Sequence, residues 1–353
     1  MNNFLPISKD EMKKQGWDSC DFILVSGDAY VDHPSFGHAL ISRTLENAGY
    51  KVGIIPQPDW RDPSGFRILG KPRLAFLVTS GNIDSMVNRF TAARKVRSRD
   101  LYSPGGKPSL RPERASIVYA NRAREAFKGV PVILGGVEAS LRRFIHYDYW
   151  SDSLRRSILL DSKADLLVYG MGERAILEIA ERLSQGEEIK FLTNIPGTVY
   201  KSSSLPEEPH ILLPDHERVK ADKRAFAESF RLQYENNDPF CGKTLAEGYG
   251  SLWVIQNPPT KPLTREELDR LYSLPYVKES HPVYQKDGGV PALEEVKFSL
   301  TSSRGCFGGC SFCSLAFHQG RIITSRSHES LIKEAEEFTQ LYGFKGYIQD
   351  RKS

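Results

Sequence analysis

Short apolar runs alternate with stretches of helical periodicity through the first half of the chain. Phe22 to Val25, Val52 to Ile55, Leu74 to Val78, Val132 to Leu134 and Leu166 to Val168 read as short strands buried on both faces. Between them, Gly37 to Ala48 carries Ala39, Leu40, Leu45 and Ala48 at helical spacing. Pro112 to Phe127 gives a second helix, and Arg174 to Leu183 a third through Ala175, Ile176, Ile179, Ala180 and Leu183. Uniformly apolar strands separated by helices predict an α/β domain on a doubly wound parallel sheet over residues 1–195.

The pattern then loosens. Residues 196–290 hold Pro206, Pro209, Pro214, Pro258, Pro259 and Pro262, and read as a connector with short elements. These are a charged helix near His216 to Tyr234, a strand at Leu252 to Ile255 and a helix capped by Thr264. In residues 291–353, Val296, Phe298 and Leu300 form a strand-like run. Ser327 caps a helix with an apolar face of Leu331, Ile332, Ala335, Phe338 and Leu341, and Gly343 stops it before a further strand at Phe344 to Ile348. One βα unit and one more strand leave a parallel edge unpaired, so this segment reads as the start of an incomplete barrel.

Chemistry concentrates in Gly305-Cys306-Phe307-Gly308-Gly309-Cys310-Ser311-Phe312-Cys313. Three thiolates at C-x-x-x-C-x-x-C spacing can hold three corners of a four-iron cubane and leave the fourth iron open, with glycines letting amides approach the sulfurs. The alternative is structural zinc, with His318 as the fourth ligand. A loop that follows a strand and precedes a helix favours the cluster.

This spacing, with Phe312 before the last cysteine, resembles the radical S-adenosylmethionine (radical SAM) superfamily. The flanking runs Lys297 to Arg304 and His318 to Ser327 resemble its YgiQ-like branch. The resemblance implies a 4Fe-4S cluster on Cys306, Cys310 and Cys313, S-adenosylmethionine on the open iron, and a reductant such as flavodoxin or ferredoxin. It assigns no substrate and no further catalytic residue. It also implies that the α/β domain is flavodoxin- or cobalamin-binding-like. Binders that ligate cobalt use Asp-x-His-x-x-Gly after the first strand, whereas here Asp32 adjoins His33 and Gly37 stands one residue too far, so cobalamin is not expected. The family's glycine-rich loop after the second barrel strand would fall on Gln349 to Ser353, which do not match it, and the chain reads as truncated.

Three loops pair glycine with acid: Gly27 to Gly37, Gly135 to Ser140 and Gly170 to Glu173. They read equally as ligand-binding loops or as the tight turns of any doubly wound sheet.

Composition adds bounds. The chain has 353 residues, 40% of them hydrophobic, and a formal charge of +4, enough for two cores and only mildly basic. No apolar stretch suits a membrane, the first residues Met1 to Pro6 lack a signal-peptide pattern, and a reducing cytoplasm suits the thiolates. Cys20 and Cys241 read as bystanders. A basic stretch from Arg89 to Lys128, with Tyr102 and Tyr119 to stack on bases and Arg142, Arg143, Arg155 and Arg156 to extend it, would suit RNA. A solvated charged face is the favoured reading. The competing view of the whole chain is a non-catalytic ligand- or RNA-binding module whose cysteines are structural or a relic.

Overall fold

The protein is described by a computed structural model over residues 4–351. Five apolar strands stand where the hydrophobic runs put them: β1 (Phe22–Ser26), β2 (Val52–Pro56), β3 (Ala75–Thr79), β4 (Val132–Leu134) and β5 (Leu166–Val168). They pair in parallel in the order β2-β1-β3-β4-β5. Successive side chains point to opposite faces. Phe22 and Leu24 of β1 therefore join a core with Ala39, Leu45, Ile176 and Ile179, while Ile23 and Val25 join another with Tyr119, Ala120 and Ala123. The first core lies under helices α1 (Gly37–Asn47) and α5 (Glu173–Ser184). The second lies under α3 (Ala115–Ala126), and between them in sequence come the short helices α2 (Ser85–Arg89) and α4 (Gly136–Leu141). This is the doubly wound arrangement that the sequence pattern predicts.

The sheet does not stop at β5. Strands β6 (Thr198–Ser202), β7 (His210–Leu212), β8 (Thr244–Tyr249) and β9 (Leu252–Gln256) extend it in the order β7-β8-β9-β6-β5. Only the β7–β8 pair among these is parallel. The segment read as a connector thus supplies four strands to one nine-stranded mixed sheet. Its charged stretch forms two helices where one was expected. Asp222, extended at φ −134°, ends His216–Ala221, and its side chain accepts from Arg224 N to start α6 (Lys223–Glu235). A capping box on Thr264 and Glu267 starts α7 (Arg265–Tyr272) as expected.

Beyond it, β10 (Ser299–Thr301) leads to a short strand β11 (Ser303–Arg304), helix α8 (Leu315–Gln319), strand β12 (Thr324–Ser325) and helix α9 (His328–Thr339). The chain then returns as β13 (Gln349–Arg351), parallel to β10. The strand expected at Phe344 to Ile348 is therefore displaced toward the C-terminus. Gly343 and Gly346 both take positive φ, which turns this stretch, and the Phe344 ring packs on Phe298 at 5.3 Å. The start read at Met1 to Asn3 and the tail read at Lys352 and Ser353 lie outside the described residues. Among the described residues, no helix is long and apolar enough to cross a membrane.

Candidate functional site

Antiparallel pairing of β11 with β12 ties the neck of the cysteine loop. Inside that neck, Cys306 N donates to Gly320 O at 3.0 Å and Gly305 N to Gln319 Oε1 at 3.2 Å. Gly305 has φ +87°, and a Cβ there would lie 2.1 Å from Ile322 O, so only glycine lets the strands pinch this closely. All five cysteines are free thiols; Cys306 is half-buried, and Cys310 and Cys313 are exposed. A Cβ on Gly308 would sit 3.3 Å from Cys306 Sγ and 3.8 Å from Cys310 Sγ, so both sulfurs face one glycine. Cys313 joins them through its amide, which donates to Cys310 O at 3.1 Å. Among the described residues, no three Cys, His, Asp or Glu side chains are gathered into a metal-holding set, so the structure does not bring the Cys313 thiol together with those of Cys306 and Cys310. The three thiols are soft and uncrosslinked, the donor type that iron–sulfur ligation uses.

The loop is docked on the carboxyl end of the sheet. Arg304, in β11, is 5% exposed and donates to Glu173 Oε1 at 2.6 Å and to Tyr272 Oη at 3.0 Å. Glu173 opens α5 and is 6% exposed. His318 Nδ1 lies 2.9 Å from Ser140 Oγ, which also accepts Gly170 N at 3.0 Å and donates to Gly136 O at 3.0 Å. A hydroxyl that already donates to Gly136 must accept from both others, which makes Nδ1 the protonated nitrogen of His318. Loss of solvent holds the imidazole pKa down to about 4. Next to it, the Phe317 ring stacks on Phe230 at 5.5 Å, and the guanidinium of Arg143 lies 5.1 Å from Phe317 and 4.9 Å from Tyr169. Arg143 is fully buried without a carboxylate; Gln256 Oε1 and Ser140 O accept from it, and burial lowers its pKa to about 10. A cleft open to solvent lies between loop and domain, with Gly170, Met171, Arg174, Lys261, Arg304 and Arg321 in its wall.

Ser140 engages Nδ1 of His318, which leaves Nε2 as the ring nitrogen that the zinc alternative would use. In the glycine-acid loops the acids are engaged within the protein, while Gly170 and Met171 also line the cleft. Glu138 accepts Ser85 N at 2.8 Å and Ser116 N at 3.0 Å, capping α2 and α3 together. Asp28 takes Arg111 and Asn82 N. Asp32, fully buried, pairs with Arg43 of α1 and pins the loop to the following helix, while the buried His33 accepts Ser35 N at 3.1 Å and braces the loop itself. The RNA reading loses its stacking platform: Tyr119 is fully buried and Tyr102 packs edge-on against Phe36. Arg142 and Arg143 are buried as well. Cys20 is a core residue whose thiol pKa burial pushes up to about 12.

Comparison with known proteins gives a match to the radical SAM N-terminal family over residues 4–299. The chain belongs to that family. Among curated relatives of this radical SAM N-terminal protein, a UPF0313 protein of Clostridium perfringens (strain 13 / Type A) is 58% identical over 351 residues, covering 99% of this chain and 53% of the relative. A UPF0313 protein of Clostridium botulinum (strain 657 / Type Ba4) is 54% identical over 349 residues, covering 99% and 55%. The chain spans about half the length of the curated relatives it matches. A solved radical S-adenosylmethionine methyltransferase, TsrM from Kitasatospora setae with tryptophan substrate and a SAM analog bound, covers 90% of this chain and 45% of its own at a TM-score of 0.50 and 16% identity. That likeness is one of fold.

Proposed function

We propose that this chain is the N-terminal part of a radical SAM enzyme in which Cys306, Cys310 and Cys313 hold three irons of a 4Fe-4S cluster. The observation that carries the reading is the set of three free thiols on one glycine-rich loop, two of them facing Gly308, in a chain of the radical SAM N-terminal family. When bound, such a cluster supplies an electron to S-adenosylmethionine for reductive cleavage of its sulfonium. The chain's own residues prepare the loop. Each cysteine gives up its thiol proton to become a ligand. Arg304, held by Glu173 and Tyr272, fixes the residue two positions before Cys306. His318 and Phe317, packed on Ser140, Arg143 and Phe230, hold the far side. The uncompensated charge of Arg143 puts a buried cation behind a loop that becomes anionic when its thiols ionise.

An external one-electron donor completes the reaction, and a flavodoxin or ferredoxin fits that need. The test is anaerobic reconstitution with iron and sulfide. A broad charge-transfer absorption that bleaches on reduction, and that is lost in Cys306→Ala, supports the reading. A colourless preparation carrying zinc overturns it.

A further inference from the structure

The loop at 98–112, to which the proposed reaction gives no role, threads Arg111 into the carboxyl ends of β1 and β3. These strands flank the point where the order β2-β1-β3-β4-β5 reverses, and in sheets of this kind ligands gather in the crevice there. Here the chain fills the crevice itself. The loops after β1 and β3 close on each other, since a Cβ on Gly27 would lie 2.0 Å from Ser80 O. Arg111, 3% exposed, donates to Ser80 O at 2.7 Å and Asp28 Oδ1 at 2.8 Å, with Asp100 Oδ2 at 3.4 Å. What remains is a shallow recess on the outer side of that plug, whose wall includes Asn88, Arg89, Arg97, Arg99, Asp100 and Arg111.

Guanidinium groups outnumber carboxylates in this wall. Arg111 faces Asp28 and Asp100, and Arg89 faces Glu113 at 3.4 Å. Among the described residues, no ion pair engages Arg97 or Arg99. Arg97 is held in place by its Nε, which donates to Val87 O at 3.3 Å and Phe90 O at 3.2 Å, leaving its terminal nitrogens for a ligand. Arg99 lies across Gly106, where a Cβ would come within 3.3 Å of its Nε. The Nε of Arg111 is buried without a hydrogen-bond partner, while that of Arg89 lies 3.4 Å from Glu113 Oε1. An oxyanion in the recess supplies acceptors to the guanidinium groups of Arg97 and Arg99.

We infer that this pocket binds a phosphate monoester. Two uncompensated guanidinium groups match a dianion better than the single charge of a phosphodiester. The recess is shallow, so the phosphoryl group is met by the arginine side chains at the surface and the remainder of the molecule stays outside.

Calorimetric titration of the 353-residue chain with phenyl phosphate and with diphenyl phosphate tests this. Arg97 and Arg99 are exposed, so the Arg97→Gln/Arg99→Gln variant keeps its fold, which an unchanged melting temperature verifies. Expected are saturable binding of phenyl phosphate, at least ~10-fold weaker binding of diphenyl phosphate, and at least a ~10-fold loss in the variant. The control Arg94→Gln/Lys95→Gln, which removes the same charge outside the pocket, binds as wild type. Absence of saturable binding, an unaffected double variant, or an equal loss in the control overturns the inference. Tighter binding of an RNA oligonucleotide without a terminal phosphate also overturns it, by giving the arginines to a nucleic-acid backbone.

Discussion

Arg304 and Glu173 form a buried ion pair, 2.6 Å between Nη1 and Oε1, that joins the strand entering the cysteine loop to the first residue of α5, 131 positions earlier. The carboxylate stands at a helix N-terminus, where the helix dipole favours negative charge, and the guanidinium is bound a second time by Tyr272. Orientation of the loop is thus set by the α/β domain rather than by the loop's own short strands.

Removing one partner of such a pair leaves an uncompensated buried charge. Glu173→Ala should lower stability by ~3–5 kcal/mol and speed amide exchange across 303–320. Denaturant unfolding with hydrogen exchange checks this, and a loss under ~1 kcal/mol with unchanged exchange would count against loop orientation by Glu173.

Ser140 serves three groups at once, Gly136 O, Gly170 N and His318 Nδ1. Ser140→Ala should cost ~1–3 kcal/mol for each donor left without an acceptor and should raise the His318 pKa from about 4 toward its usual value as the ring loosens. NMR titration of the imidazole reads the shift directly. An unmoved pKa would mean that packing alone holds the ring.

Glu247, fully buried in β8, accepts from Ile145 N at 2.9 Å and from Tyr249 Oη, and burial raises its pKa to about 8. The folded protein therefore keeps a proton that the unfolded chain releases near pH 4.5, and this group's contribution falls as pH rises toward 8. Glu247→Gln, which cannot ionise, should match wild type near pH ~5 and exceed it increasingly up to pH ~8, by as much as ~1.4 kcal/mol per pH unit. Melting curves across that range test it; a difference independent of pH would contradict the assigned protonation state.

Much of this was legible in the sequence because it is local. Five apolar runs became five strands, and the C-x-x-x-C-x-x-C run became one loop bounded by a strand and a helix. The residues that dock the loop were not legible, because Glu173, Ser140, Arg143 and Tyr272 meet it only through long-range contacts. Glu173 stands out in the sequence as the acid of a glycine-acid turn, but nothing in that turn indicates an arginine 131 positions away. Strand β9 falls where the run Leu252 to Ile255 put it, but β6 to β8 escaped for another reason: their pairing is set by neighbours in the sheet, not by periodicity.

The most direct test of the central claim is the iron and acid-labile sulfide content per chain after anaerobic reconstitution, compared between wild type, Cys310→Ala and Cys241→Ala. The account predicts about four iron and four sulfide in wild type and in Cys241→Ala, with both lost in Cys310→Ala while the α/β domain stays folded. Equal iron in Cys310→Ala and wild type would contradict the assignment of the cysteine loop as the cluster site.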